Sequence, residues 1–317
     1  MTRHSIPVAL ASCDEYSAAD LDRTVGLLLQ TIGCRPVSGT RALVKPNLLA
    51  PTPPHYLPCT HPLIVRAVCK YLISLGAEVK LGDSPTFGRG IDIASQIGLA
   101  KAVEDLPVTL VNLDRPKITR LPFRGWAPIS RIALENDLIV SVSKLKAHHQ
   151  TRVTGAVKNV YGCVTGLRKP ILHLLKGDGG NFEKMLLGIW GCLPPNVSVM
   201  DAITAMHIHG PTNGSPYHLG LLAASPSPVA LDTAVMSILR LQPQDAPLWQ
   251  TALDLDLPGA RLEDLIYPLR PPESFDATGF QTPAHLFPIS FRPLKVAVHL
   301  IKRFMAGRSW QVKSTNL

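Results

Sequence analysis

No C-x-x-C pair occurs in the 317-residue sequence: Cys13, Cys34, Cys59, Cys69, Cys163 and Cys192 stand alone. A ferredoxin module needs short cysteine spacings for its cluster ligands, and a zinc ribbon needs paired ligands. Both are excluded, no intrinsic iron–sulfur cluster is expected, and the pattern fits reduced thiols in a cytoplasmic protein. Charge is also sparse, at 17 % of residues against about 25 % in an average domain. With 46 % apolar residues, the chain has the material for a sizeable core and is not disordered along its length. The segments G-x-x-x-x-G-K-[ST], G-x-G-x-x-G and G-x-S-x-G are all missing, which demotes a P-loop ATPase, a standard nicotinamide dehydrogenase and an ordinary serine hydrolase.

No apolar run approaches the roughly 20 residues of a membrane span. Leu10-Ala11-Ser12-Cys13 spells a lipoprotein cleavage box, but the apolar stretch before it, Ile6–Ala11, is shorter than a signal core and reads as a first strand. A soluble cytoplasmic protein is the expectation. Proline is abundant, at 29 residues, about twice its usual share. It marks structured loops and argues against a helical bundle.

The 32 basic residues outnumber the 23 acidic ones through two local clusters. Lys144, Lys146, Arg152, Lys158, Arg168, Lys169 and Lys176 fall between Asp137 and Asp178 with no carboxylate among them. Arg292, Lys295, Lys302, Arg303, Arg308 and Lys313 follow Asp276, again with none. Clustering of this kind fits local anionic partners. Nucleic acid is disfavoured, because the basic segments lack interleaved aromatic residues for stacking.

Along the chain, strand and helix alternate. Strands are expected at Ile6–Ala11, Arg41–Lys45, Ala77–Leu81, Val108–Asn112, Leu138–Ser143, Val197–Met200 and Leu219–Ala223. Ser17-Ala18-Ala19-Asp20 has the form of a capping box before a helix that Gly33 stops. Thr60 is expected to cap a helix carrying Ile64, Val65, Val68, Leu72 and Leu75. Further helices are expected over Ile91–Val103, Phe182–Gly191, Val229–Leu239 and Ala246–Leu253. The pattern specifies an α/β fold, a mostly parallel sheet with helices on both faces. Residues 1–267 form the α/β domain, and 268–317 a basic, Pro- and Phe-rich irregular extension. Within that extension Phe291, Leu294, Val298, Ile301 and Met305 recur at helical spacing among basic residues. Such a segment, 291–308, packs on its own domain or docks on a redox partner or an anionic membrane surface.

In parallel sheets ligands sit beyond the carboxyl ends of the strands. Here those ends carry Lys45 and Asn47, Asp83 and Ser84, Lys144 and Lys146, and Asp201. Lys144 and Lys146 alternate with Leu145, which puts both ammonium groups on one side of an extended stretch. Lys158 follows Thr154 at i+4, so the two would share a face on a helix. Gly155 permits close backbone approach, and the N–H groups at that helix start, with Asn159 nearby, would suit an anion. His148 and His173 are the candidates for moving a proton. Asp83 and Asp201 would orient these groups or bind a cation. His61, His207 and His209 are weaker metal candidates, without H-E-x-x-H or comparable spacing, and no metal site is assigned.

These blocks carry a family resemblance. Val44-Lys45-Pro46-Asn47, Thr60-His61-Pro62, Gly82-Asp83-Ser84, Lys144 through His148, Val153 through Gly162, Asp201-Ala202-Ile203 and Pro228 through Asp232 resemble the DUF362 proteins. That family has no generally assigned function and is often fused to iron–sulfur ferredoxin modules. The basic strand ends point to an anionic small molecule or cofactor as ligand, and the resemblance implies a link to redox metabolism, with the cofactor itself unknown. Many family members carry cysteine-rich motifs after this domain, where this chain has its basic extension. A non-catalytic subunit docking on a redox partner is the alternative to an enzyme.

Overall fold

A computed structural model describes residues 5–49, 57–86, 88–123, 125–166, 168–169, 171–172 and 180–287. His173 and the segment 291–308 lie outside the described residues.

The chain runs through β1 (Ile6–Pro7), β2 (Ala9–Ser12), α1 (Ala18–Thr31), β3 (Arg41–Pro46), α2 (Pro62–Ser74), β4 (Glu78–Asp83), α3 (Gly90–Gln96), α4 (Leu99–Ala102) and β5 (Val108–Asn112). The hairpin β6 (Pro116–Arg120) and β7 (Trp126–Ser130) follows, then α5 (Arg131–Leu134), β8 (Leu138–His148), β9 (Arg152–Thr154) and α6 (Ala156–Asn159). The last described elements are α7 (Asn181–Trp190), β10 (Asn196–His207), β11 (Ser215–Ser225), α8 (Pro228–Ile238), α9 (Pro247–Asp254) and β12 (Leu265–Ile266).

One large sheet organises them, in the order β2-β11-β10-β8-β3-β4-β5, with β9 added to β8. The five strands β10, β8, β3, β4 and β5 are mutually parallel, while β11 pairs antiparallel with both β10 and β2. The α/β expectation, a mostly parallel sheet with helices on both faces, describes this arrangement. Alternation along the strands builds the two faces. Ala42, Val44, Val140, Val142, Val197 and Val199 pack beneath α1 and α2, whose apolar stripes are Leu21, Val25, Leu28 and Leu29, and Ile64, Val65, Val68 and Leu72. Leu43 and Ile139 point the other way, towards Val157, Phe182, Leu186 and Ile189, and Met200 and Leu221 pack with Leu231 and Val235 on that side. Both faces are covered, so the central strands are apolar on both sides.

From β3 the chain crosses to β4 and β5 on one side, and later occupies β8 and β10 on the other. The sheet therefore switches direction between β3 and β8, where a crevice opens beyond the strand ends.

Several expectations are corrected. Ile6–Ala11 is two strands: β1 leaves the large sheet to pair with β12. Ile91–Val103 is two helices, because Gly98 adopts a left-handed φ of 79° between them. Ser17 is the N-terminal residue before α1, but its side chain makes no capping bond. His61, not Thr60, caps α2, its Nδ1 accepting from Leu63 N at 3.3 Å, with Pro62 at the first helical position. Strand β8 continues five residues past Ser143, and β10 seven past Met200. Residues 268–287, the described part of the expected extension, bond to the body of the fold: Ile208 N donates to Gln281 O, and Phe287 N to His149 O, both at 2.8 Å.

Candidate functional site

A cavity of about 470 Å³ lies at the switch point. Its walls include Lys45 and Asn47 from the end of β3, Asp83 and Ser84 from β4, and Lys144, Lys146 and His148 from β8. Thr154, Gly155, Lys158 and Asn159 from the β9–α6 segment complete the set. Among the described candidate site residues, all but Asp201 border this space. Lys169, Tyr161, His149, Gly210 and Pro211 also line it.

The lysines are held in different ways. On β8, Lys144 and Lys146 continue the alternation of Val140 and Val142, whereas Lys45 continues that of Leu43 on the opposite face. They reach the cavity from both sides of the sheet edge. Lys45 is 1 % exposed, yet it forms a 3.0 Å ion pair with Asp83. It also donates to Pro46 O at 2.8 Å and Asn159 Oδ1 at 3.1 Å. Asp83 accepts from Leu48 N and Ser84 N, both at 2.8 Å. Gly162 lies against this pair, where a Cβ would overlap Asp83 Oδ1 and the end of Lys45.

Lys144 pairs with Asp201 at 2.8 Å, and it donates to Tyr16 Oη at 3.1 Å. Asp201 also accepts from Tyr16 Oη and from His61 N, each at 3.0 Å. The Tyr16 and His61 rings stack at 3.8 Å. Burial pushes the His61 pKa down to about 4, with Asp201 opposing and Lys144 reinforcing the shift. Beside this cluster the β8–β10 register slips between Asp201 and Met206. The bulge releases Thr204 N, which donates to Tyr16 Oη at 3.1 Å. Asp201 thus stands behind Lys144 and outside the cavity wall.

Lys146 donates to Asn47 Oδ1 at 3.2 Å and Pro58 O at 2.9 Å. Burial pushes its pKa down to about 8. Lys169 donates to Ser84 O and stands 5.3 Å from the Tyr161 ring centre. Its pKa is also lowered to about 8, chiefly by burial. Lys158 Nζ lies 2.9 Å from His148 Nε2. Burial and then the charges of Lys146 and Lys169 lower its pKa to about 7.

The expected anion site at the start of the Gly155 helix is corrected. Helix α6 has only four residues, and Thr154 belongs to β9. The N–H groups of Ala156 and Val157 are already taken by Asp232 of α8, at 2.6 and 3.0 Å. A Cβ at Gly155 would overlap that carboxylate. Burial raises the Asp232 pKa to about 7, against the lowering effect of those two N–H bonds. Asp232 and Lys169 were missed as members of the site. Asp232 arrives from 75 residues downstream of Val157, and Lys169 reads only as one more cation in the basic run.

The histidines separate into different settings. His207 packs against Tyr217 and Phe280, and His209 stacks on His149 at 5.7 Å. Among the described residues no group of three or more His, Cys, Asp or Glu side chains is gathered to hold a metal ion. Nor is any described helix long and apolar enough to cross a membrane.

Fold and site together define an α/β protein with a lysine-lined cavity at the switch point of a mainly parallel sheet. The chain belongs to the family described as Domain of unknown function (DUF362), whose family model matches residues 42–237. A thylakoid-associated protein of Synechocystis sp. is 32 % identical over 304 residues, covering 94 % of each chain. The solved lactate racemase apoprotein from Thermoanaerobacterium thermosaccharolyticum is similar over 73 % of this chain, at 14 % identity and a TM-score of 0.44. This chain spans 56 % of that protein's length.

Proposed function

We propose that the protein binds an anionic small molecule in the switch-point cavity and carries out chemistry on it. The observation that carries this reading is the charge of the walls: Lys45, Lys144, Lys146, Lys158 and Lys169 face the cavity, with Asp83 as the carboxylate among its described lining residues. Burying several ammonium groups together is costly unless an anion offsets them. Lys45 and Lys144 have protein carboxylates, whereas Lys146 and Lys169 have only neutral oxygens in their hydrogen bonds. Those two supply the uncompensated charge for the ligand. Asn47, Ser84, Thr154 and Asn159 border the same space and orient the ligand in this reading, and His148 moves the proton. Asp83 and Asp201 act through Lys45 and Lys144. The tie to iron–sulfur-associated redox metabolism rests on the family resemblance and adds no residue to the site.

The test is thermal unfolding of the full chain with inorganic phosphate, pyrophosphate and citrate, at matched ionic strength against chloride. At least one multivalent anion raises Tm in a saturable manner, and Lys146→Gln abolishes the rise. If none of the three stabilises more than chloride does, the reading fails.

A second reading has its own support. The relative from Synechocystis sp. is thylakoid-associated, and residues 291–308 carry Arg292, Lys295, Lys302, Arg303 and Arg308 with no acidic residue. Here the protein docks on an anionic membrane surface, or on a redox partner, through that segment. Cosedimentation with vesicles containing an anionic lipid separates the two readings. A chain ending at Ser290 loses vesicle binding under the second and is unchanged under the first. Both readings keep the protein in the cytoplasm, free in one and membrane-bound in the other.

A further inference from the structure

The two nitrogens of His148 fix its tautomer. Nδ1 accepts from the backbone N–H of Gln150 at 3.0 Å and of Thr151 at 3.3 Å. A backbone amide can only donate, so Nδ1 carries no proton. Rotating the ring by 180° would put carbon against both amides and against Lys158, so the contacts also fix the ring's orientation. A neutral imidazole without a proton on Nδ1 carries it on Nε2. His148 therefore presents an N–H, at Nε2, to the Lys158 Nζ that stands 2.9 Å away. An ammonium has three donors and no acceptor and cannot receive that bond. Only the neutral amine, with its lone pair, can.

The other lysines differ. Lys45 and Lys144 face carboxylates, and Lys146 and Lys169 face carbonyl oxygens. All four of those partners are hydrogen-bond acceptors, to which an ammonium can donate. Lys158 faces a donor instead, and both it and His148 border the cavity.

We infer that Lys158 is the site's amine nucleophile, and that the ligand class is an anionic carbonyl compound with which it condenses to an imine. This deepens the anion-binding reading and rests on it. In the step, the Nζ lone pair leaves the His148 N–H and bonds to the carbonyl carbon, while the C=O π pair moves to oxygen. That oxygen takes the two protons that were on Nζ and departs as water, leaving a C=N bond with no change of oxidation state. The neighbouring ammonium groups of Lys146 and Lys169 hold the anionic part of the molecule and disfavour a positive charge on Lys158. The lowered pKa of Lys158, about 7, agrees with this setting: such a lysine is a nucleophile near neutral pH.

The probe is glyoxylate with sodium cyanoborohydride, added to the full chain at pH 7, with modified peptides read by mass spectrometry over time. Lys158 is carboxymethylated at least tenfold faster than the exposed lysines, and excess phosphate slows it. His148→Gln, which cannot present the same N–H, brings its rate towards that of the exposed lysines. Independently, the ring ¹⁵N signals of His148 in the unmodified protein report an unprotonated Nδ1 and a protonated Nε2. Labelling of Lys158 no faster than surface lysines overturns the proposal, as does a protonated Nδ1. Anion stabilisation measured on the same protein separates the two failures. If any of phosphate, pyrophosphate and citrate stabilises but Lys158 is unreactive, the imine is wrong and the anion site stands; if none stabilises and Lys158 is unreactive, both fall.

Discussion

Lys144 and Asp201 are direct neighbours in the parallel ladder of β8 and β10, and their charges meet at 2.8 Å with side chains 3 % and 0 % exposed. The pair ties two strand ends to α2 through His61 and to the N-terminal segment through Tyr16. Removing one member of such a pair strands the other in a low-dielectric setting. Asp201→Asn is therefore expected to lower stability by about 3–5 kcal/mol, measured by urea denaturation. A loss below about 1 kcal/mol would show that the pair is solvated in solution.

The pKa of His61 has a signed consequence for pH. Its value of about 4 lies below the unfolded value of about 6.5. The unfolded chain then binds more protons between those limits, so this group's contribution is present above pH 6.5 and is lost as pH falls towards 4. Its full size is roughly 3 kcal/mol. Asparagine keeps a capping acceptor at this position but does not titrate. His61→Asn is expected to flatten the stability profile between pH 4 and 6.5. An unchanged slope would assign the acid sensitivity elsewhere.

Lys146 and Lys169 respond in opposite directions with and without ligand. Their folded pKa values, each about 8, lie below the usual lysine value near 10.5. In the free protein their contribution to stability rises with pH from about 8 to 10.5. Anion binding requires the charged forms, so phosphate affinity is expected to fall as pH rises through 8. Calorimetric titration at pH 7 and 9 checks this, with at least a severalfold weaker Kd at pH 9 expected. Equal affinities would remove these lysines from the ligand's contacts.

Gly155 and Gly162 are required for room. Their Cα atoms sit against the Asp232 carboxylate and the Lys45–Asp83 pair, respectively. Overpacking of this kind costs about 1–3 kcal/mol. Gly162→Ala is expected to lower stability by that amount and to weaken phosphate-induced stabilisation by displacing Lys45. Gly155→Ala shifts α6, and with it Lys158, so its clearest readout is slower labelling by glyoxylate. Unchanged Tm in both variants would show that the backbone relaxes freely there.

The sequence by itself determined the parallel α/β class, the strand cores and the polar strand ends, because these depend on local periodicity and on where apolar runs stop. Lys45, Asn47, Asp83, Ser84, Lys144, Lys146 and Lys158 were legible for that reason, as residues at strand ends or in a basic segment without acids. The small hairpin at Pro116–Ser130 was not, since β6 is mostly exposed and lacks an apolar stripe. Hydrogen-bond partners across the fold lay beyond local reading altogether. Lys144 finds Asp201 57 residues away, Lys45 finds Asn159 114 residues away, and Asp232 fills the helix start that looked free for a ligand. Nothing in the spacing of His148 and Lys158 reveals which of them donates. That was decided by two backbone amides in the turn after β8, because a proton's position depends on every group around the ring, and only the tertiary structure brings those groups together.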